Sequence, residues 1–106
     1  MEKQKILIAD DSEMNRALLV DILEDQYDIV EADNGAAAID LLTQCGGDFS
    51  LLLLDIMMPE MDGFEVLAYI NRYHLNDTLA VIMISADDSP ANIKRAYDLG
   101  AFDYIS

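Results

Sequence analysis

The chain has 106 residues, of which 53% are hydrophobic, and its 21 acidic and 6 basic residues give a formal net charge of −15. This length fits one domain with a single core, and the hydrophobic fraction excludes a disordered chain. The negative charge argues against direct binding of nucleic acid or of an anionic membrane. Because no apolar run reaches transmembrane length and no secretory signal pattern precedes the first strand-like run, we expect a cytoplasmic domain.

Short apolar runs alternate with helix-like segments along the whole chain. We predict strands over residues 5–9, 27–32, 51–55, 79–85 and 103–106, and helices over residues 13–24, 35–45, 64–73 and 90–99. The four consecutive leucines of residues 51–54 indicate a strand that is buried on both faces. This alternation is typical of βα units on a parallel sheet, so we expect an α/β fold.

Polar side chains lie at the ends of three predicted strands. Asp10 and Asp11 follow the first strand, Asp55 ends the third, and Ser85 with the small Ala86 ends the fourth. Each has an ordinary explanation by itself, such as helix capping or turn formation. Together they favour a ligand site, because the carboxyl ends of parallel strands meet at the edge where open α/β sheets bind ligands.

Three close carboxylates require a proton or a cation between them. Two unit charges about 4 Å apart repel by about 4 kcal/mol at an effective dielectric constant of about 20. Oxygen ligands without histidine or cysteine suit Mg²⁺ or Mn²⁺, and the backbone carbonyl of Met57 is a further candidate ligand. A carboxylate beside such a cation can attack phosphorus; Ser85 could then hydrogen-bond a phosphoryl oxygen, and Ala86 would leave the entrance open.

A longer pattern surrounds these residues. It consists of segments 8–12 (Ile-Ala-Asp-Asp-Ser), 54–63 (Leu-Asp-Ile-Met-Met-Pro-Glu-Met-Asp-Gly), 84–86 (Ile-Ser-Ala) and 100–104 (Gly-Ala-Phe-Asp-Tyr). In order and spacing these segments resemble the receiver domain of two-component response regulators, the CheY-like superfamily. The resemblance covers essentially the whole chain. It implies a flavodoxin-like, three-layer α/β fold with a parallel five-stranded sheet in the order 2-1-3-4-5.

The resemblance implies a role for each acidic residue. Asp55 would accept a phosphoryl group. Asp11 would bind Mg²⁺ directly, Asp10 would support the ion through water, and Met57 would supply a carbonyl ligand.

The resemblance also implies a switch. Ser85 would be the switch hydroxyl beside Ala86, and the Tyr104 side chain would move inward when Ser85 does. The expected function is a phosphorylation-activated signalling switch. A sensor histidine kinase or phosphotransfer protein would supply the phosphoryl group, and an output domain or protein would receive the signal. We expect no enzymatic activity beyond Mg²⁺-dependent self-phosphorylation and self-dephosphorylation.

The family pattern continues beyond Ser106 with a lysine, a proline and a fifth helix. We therefore expect residues 1–106 to form a receiver domain that is incomplete at its C-terminus, with the first helix alone on one face of the sheet. Part of that face would be exposed, favouring a dimer or domain-swapped association. The candidate exposed residues are Ile6, Ile8, Leu52 and Leu54, or Val81 and Met83.

Three alternative functions differ in the residues that they require. A metal-binding pseudo-receiver that is never phosphorylated and acts as an interaction module stays open, because the lysine is missing. A phosphatase of the haloacid dehalogenase type requires Asp-x-Asp, whereas this chain has Asp55-Ile56-Met57. A flavodoxin-like cofactor binder requires a phosphate-binding loop after the first strand, and the chain has none there.

Overall fold

A parallel sheet of five strands in the order β2-β1-β3-β4-β5 organises the fold. The computed structural model describes residues 3–75, 77–87 and 89–106. Its strands are β1 (Lys5–Ala9), β2 (Asp28–Ala32), β3 (Phe49–Asp55), β4 (Ala80–Ile84) and β5 (Asp103–Ile105). Its helices are α1 (Glu13–Leu23), α2 (Gly35–Cys45), α3 (Gly63–Arg72) and α4 (Pro90–Asp98). The helix α1 packs on one face and the other three on the opposite face, which confirms the predicted flavodoxin-like fold.

Side-chain caps and strand pairing set the boundaries of these elements. The Ser12 hydroxyl caps α1. Asp62 and Glu65 form a reciprocal capping box, so that α3 begins at Gly63, one residue before its predicted start. The strand β3 begins at Phe49, earlier than predicted, because Phe49 still pairs with β1 across a register shift. In the described part of the chain, no helix is both long and apolar enough to cross a lipid bilayer.

The two faces of the sheet are covered to different extents. On what we call the three-helix face, the strand residues are buried; these are Leu7, Ala9, Leu52, Leu54, Val81 and Met83. On the α1 face, Ile6, Ile8 and Leu53 are buried, whereas Leu51, Ile82 and Ile84 are only partly buried. The helix α1 lies wholly within the described part of the chain, and none of its residues is buried. One helix therefore shields the α1 face incompletely.

This difference corrects two predictions. Leu51 is not buried on both faces, because it lies on the α1 face, where less of the sheet is covered. The sequence predicted the correct face of the sheet for the incompletely covered surface, but it predicted the wrong residues. The surface consists of Ile82 and Ile84 of β4 together with Ile105 of β5, which pairs with Ile84.

Candidate functional site

The acidic side chains meet because β1 and β3 are parallel neighbours. Ala9 pairs with Leu54, so the residues that follow them, Asp10 and Asp55, lie side by side at the carboxyl edge of the sheet. Asp11 is next along the chain. Each of the three acids offers a carboxylate oxygen, and these oxygens all lie within 4.8 Å of one another. The structure therefore brings together the three carboxylates that the sequence predicted to converge.

Backbone N–H groups orient two of the three carboxylates. Asp10 is buried, and its Oδ1 accepts a hydrogen bond from the N–H of Ser12 at 2.8 Å. Asp55 is partly buried, and its Oδ1 accepts from the N–H of Met57 at 3.3 Å. Asp11 is exposed. The predicted use of the Met57 carbonyl as a metal ligand stays a prediction.

The environment of Asp55 disfavours its ionised form. Partial burial removes water from the carboxylate, and repulsion from Asp10 and Asp11 adds to this, so the pKa of Asp55 rises from 3.8 to about 6. The hydrogen bond from the N–H of Met57 lowers the pKa and offsets part of the rise. Within the protein, the negative charge of the cluster is therefore incompletely balanced, and a bound cation would relieve it.

The donor set fits a hard divalent cation. All three side chains present carboxylate oxygen, one is exposed, and the cluster lies at an open edge of the sheet. Mg²⁺ prefers such ligands and commonly retains several waters when protein carboxylates bind it. The residues present therefore fit the predicted Mg²⁺ or Mn²⁺.

The predicted switch residues are joined through one residue of the β4–α4 loop. Ser85 is buried at the end of β4, and its Oγ accepts a hydrogen bond from the N–H of Asp87 at 3.0 Å. The hydroxyl of Tyr104 donates to the carbonyl oxygen of the same Asp87. Ala86, which lies between Ser85 and Asp87 in the chain, is exposed. Ser85 and Tyr104 are thus connected through the backbone of Asp87.

The side chain of Asp87 fastens this loop to the start of α4. Its carboxylate accepts hydrogen bonds from the N–H of Ser89 at 2.8 Å and from Nδ2 of Asn92 at 2.6 Å. These hydrogen bonds, chiefly the one from Ser89, hold the pKa of Asp87 below its usual value. The spacing of Asp87 two residues before the helix cap is a signal that could have indicated this role. The neighbouring Asp88 lies outside the described residues.

Two arginines lie nearer the site than the sequence indicated. Arg95 of α4 lines a cleft together with Asp11 and Met57, and its guanidinium carbon lies 4.2 Å from the centre of the Phe64 ring. Arg16 of α1 donates to the carbonyl oxygen of Asp10. Neither arginine was among the site residues predicted from the sequence.

Comparisons with known proteins agree with this geometry. A family model described as "Response regulator receiver domain" matches residues 6–106. The "Chemotaxis protein CheY" of Halobacterium salinarum is 36% identical over 107 residues, covering 100% of this chain and 85% of that protein. A "Probable cyclic di-GMP phosphodiesterase" of Vibrio cholerae is 38% identical over 100 residues, but the match covers 94% of this chain and only 22% of that protein.

A solved structure shows the same relationship. A chain of the CheX–CheY–BeF₃–Mg²⁺ complex from Borrelia burgdorferi superimposes with a TM-score of 0.88 at 30% identity, covering 95% of this chain and 75% of that one. The sheet order, the three carboxylates at its carboxyl edge and these similarities lead to one conclusion. The chain belongs to the response regulator receiver domain family.

Proposed function

We propose that this domain is a phosphorylation-activated switch in which Asp55 accepts a phosphoryl group from a histidine kinase or phosphotransfer protein. The observation that carries the proposal is the cluster of three carboxylates whose oxygens lie within 4.8 Å of one another, of which the partly buried Asp55 has a raised pKa. The similar Borrelia burgdorferi structure was determined as a complex with BeF₃ and Mg²⁺. That complex supports a divalent cation and a group the size of a phosphoryl as ligands of this fold.

The chemistry assigned to Asp55 is nucleophilic attack on phosphorus. One carboxylate oxygen forms the new P–O bond while the P–N bond of the donor phosphohistidine breaks, and the electron pair leaves with the imidazole, which takes up a proton. With a pKa of about 6, Asp55 is mostly ionised at neutral pH and can act as the nucleophile. Mg²⁺ held by Asp10, Asp11, Asp55 and the carbonyl of Met57 would neutralise charge on the carboxylates and the phosphoryl oxygens.

The relay from this site runs through the β4–α4 loop. If Ser85 turns its hydroxyl toward a phosphoryl group on Asp55, the hydrogen bond that it accepts from the N–H of Asp87 is lost. Asp87 then moves, and its carbonyl no longer holds the hydroxyl of Tyr104. Tyr104 becomes able to turn inward, so two arrangements of loop, α4 and β5 exist whose balance phosphorylation shifts. An output domain or partner protein that binds one arrangement better reads the signal.

A direct test is phosphorylation by a small donor. The form tested is the domain extended through the lysine and fifth helix of the family pattern. Its incubation with acetyl phosphate and Mg²⁺, followed by intact-mass measurement, should show one phosphoryl adduct on the wild type and none on Asp55→Asn. Asp40→Asn, an exposed substitution on α2, is the matched control and should retain the adduct. An adduct that persists in Asp55→Asn would move the chemistry elsewhere. No adduct on an extended wild type that binds Mg²⁺ would favour the metal-binding pseudo-receiver.

A further inference from the structure

Arg16 connects the acidic loop after β1 to the neighbouring strand β2. It lies in α1, close to the start of the helix, and its side chain is only 15% exposed. Its Nη1 donates a hydrogen bond to the carbonyl oxygen of Asp10 at 2.7 Å. Its Nε donates to Oε1 of Glu31 on β2 at 3.2 Å. The guanidinium therefore forms a bridge from β2 to the backbone of the acidic loop.

The carbonyl that Arg16 holds belongs to the peptide unit between Asp10 and Asp11. A peptide unit is planar, so fixing its oxygen fixes the orientation of the whole plane. The N–H of Asp10 donates to the carbonyl oxygen of Ala32 at 3.1 Å, so Asp10 is held on both sides of its Cα. The directions in which the Asp10 and Asp11 side chains leave the backbone follow from these two restraints.

We propose that Arg16 is a positioning residue for the divalent cation: it orients the Asp10–Asp11 peptide so that both carboxylates lie in binding geometry. This inference rests on the proposed function, because it takes these acids as metal ligands. Mg²⁺ demands near-octahedral geometry, so a rotation of this peptide misplaces its ligands. Hydrogen bonds that orient ligands from outside commonly change metal affinity about 10-fold to 100-fold.

A positioning role and a charge effect have opposite consequences. The guanidinium is a cation close to the cluster, so by charge alone its removal should tighten Mg²⁺ binding. Loss of a positioning hydrogen bond should weaken binding instead. Lysine keeps the charge but lacks the planar fork that reaches Asp10 and Glu31 together. Arg16→Lys therefore separates geometry from charge.

The experiment is a calorimetric titration of Mg²⁺ into four proteins at constant ionic strength. The proteins are wild type, Arg16→Met, Arg16→Lys and the control Arg72→Met, an exposed substitution at the far end of α3 with the same change in net charge. We expect the dissociation constant to rise about tenfold in Arg16→Lys, which loses the fork and keeps the charge, and by less in Arg16→Met, where loss of the repelling charge offsets part of the effect. It should be unchanged in Arg72→Met. Unchanged or tighter binding in both Arg16 variants would overturn the inference.

The metal-free melting temperature of each protein shows whether it is folded. If Arg16→Met fails to fold, Arg16→Lys decides the outcome, because it keeps the charge and most of the side-chain volume. If the wild type binds Mg²⁺ and both Arg16 variants bind it equally well, this inference alone fails. If the wild type binds no Mg²⁺, the proposed metal site fails and the inference fails with it.

Discussion

The strands that carry the acidic cluster and the strands that carry the switch residues are packed differently. In β1 and β3, which hold Asp10 and Asp55, side chains are buried on both faces of the sheet, as Leu52 and Leu53 illustrate. In β4, which Ser85 follows, burial is complete on the three-helix face only, and in β5, which holds Tyr104, no residue is buried. Local stability follows the number of buried apolar contacts. The proposed chemistry thus lies on the rigid half of the sheet and the proposed switch on the half that can move.

The largest expected effect comes from truncating matched side chains on the two faces. Leu52→Ala removes a fully buried side chain of β3 and should lower the free energy of unfolding by about 3 kcal/mol. Ile82→Ala removes a partly buried side chain on the α1 face of β4 and should cost about 1 kcal/mol. Urea unfolding of the two variants measures both values. Equal losses would show that the two faces are packed alike.

Asp55→Asn should stabilise the metal-free protein at neutral pH. The pKa of Asp55 rises from 3.8 to about 6 in the folded chain, so between these values the folded state binds more protons, and stability falls as pH rises through that window. The full pKa shift corresponds to a loss of stability of about 3 kcal/mol. Because Asp55 is only partly buried, screening by solvent reduces the expected loss to about 1–2 kcal/mol.

The pH dependence provides the control for this substitution. Well below pH 3.8 the wild-type carboxyl is protonated in both states, and the advantage of asparagine should vanish. Melting temperatures of both proteins across the range, without divalent metal, measure the difference. If the difference in melting temperature is the same at every pH, the folded protein does not raise the pKa of Asp55.

Mg²⁺ should raise the melting temperature of the wild type. Linkage gives about 1.4 kcal/mol of stabilisation when free metal is about tenfold above its dissociation constant. Asp11→Ala should abolish this response, and it should not destabilise the metal-free protein, because it removes one of three like charges. A full Mg²⁺ response in Asp11→Ala would exclude Asp11 as a direct ligand.

Tyr104→Phe tests the half of the sheet that carries the proposed switch. It deletes the hydrogen bond to the carbonyl of Asp87, should cost about 1 kcal/mol, and should speed amide hydrogen exchange in the β4–α4 loop. Tyr97→Phe is the matched control, because its hydroxyl donates to Asp103 at 3.1 Å and not to that loop. If amide hydrogen exchange in the β4–α4 loop is equal in the two variants, Tyr104 does not take part in the proposed relay.

The smallest expected effect on monomer stability is at the outer surface of α1. Leu18 and Ile22 are 60% and 66% exposed, so replacing both by glutamine should change the free energy of unfolding by less than about 0.5 kcal/mol each. The double variant should nevertheless reduce concentration-dependent association, measured by light scattering, if this outer surface of α1 takes part in it. Unchanged association would place any self-contact on another surface.

The sequence predicted the parts of the fold that depend on local pattern. Strand and helix positions follow from apolar periodicity and caps such as Ser12, and the meeting of Asp10 with Asp55 follows from the parallel sheet. Other features depend on tertiary structure. The partial burial of Leu51 depends on how much of a face one helix covers. The contacts of Arg16 and Tyr104 with backbone carbonyls depend on the path of the loops and on side-chain rotamers. Neither produces a periodic pattern in the sequence.

The most direct test of the account compares hydrogen exchange in the two halves before and after phosphorylation with acetyl phosphate and Mg²⁺. Amides of the β4–α4 loop, α4 and β5 should change their exchange rates in the phosphorylated wild type, whereas those in the centre of β1 and β3 should not. Asp55→Asn under the same conditions should show no change in the loop, α4 or β5. A phosphorylated wild type whose exchange is unaltered in the β4–α4 loop, α4 and β5 would contradict the proposed switch.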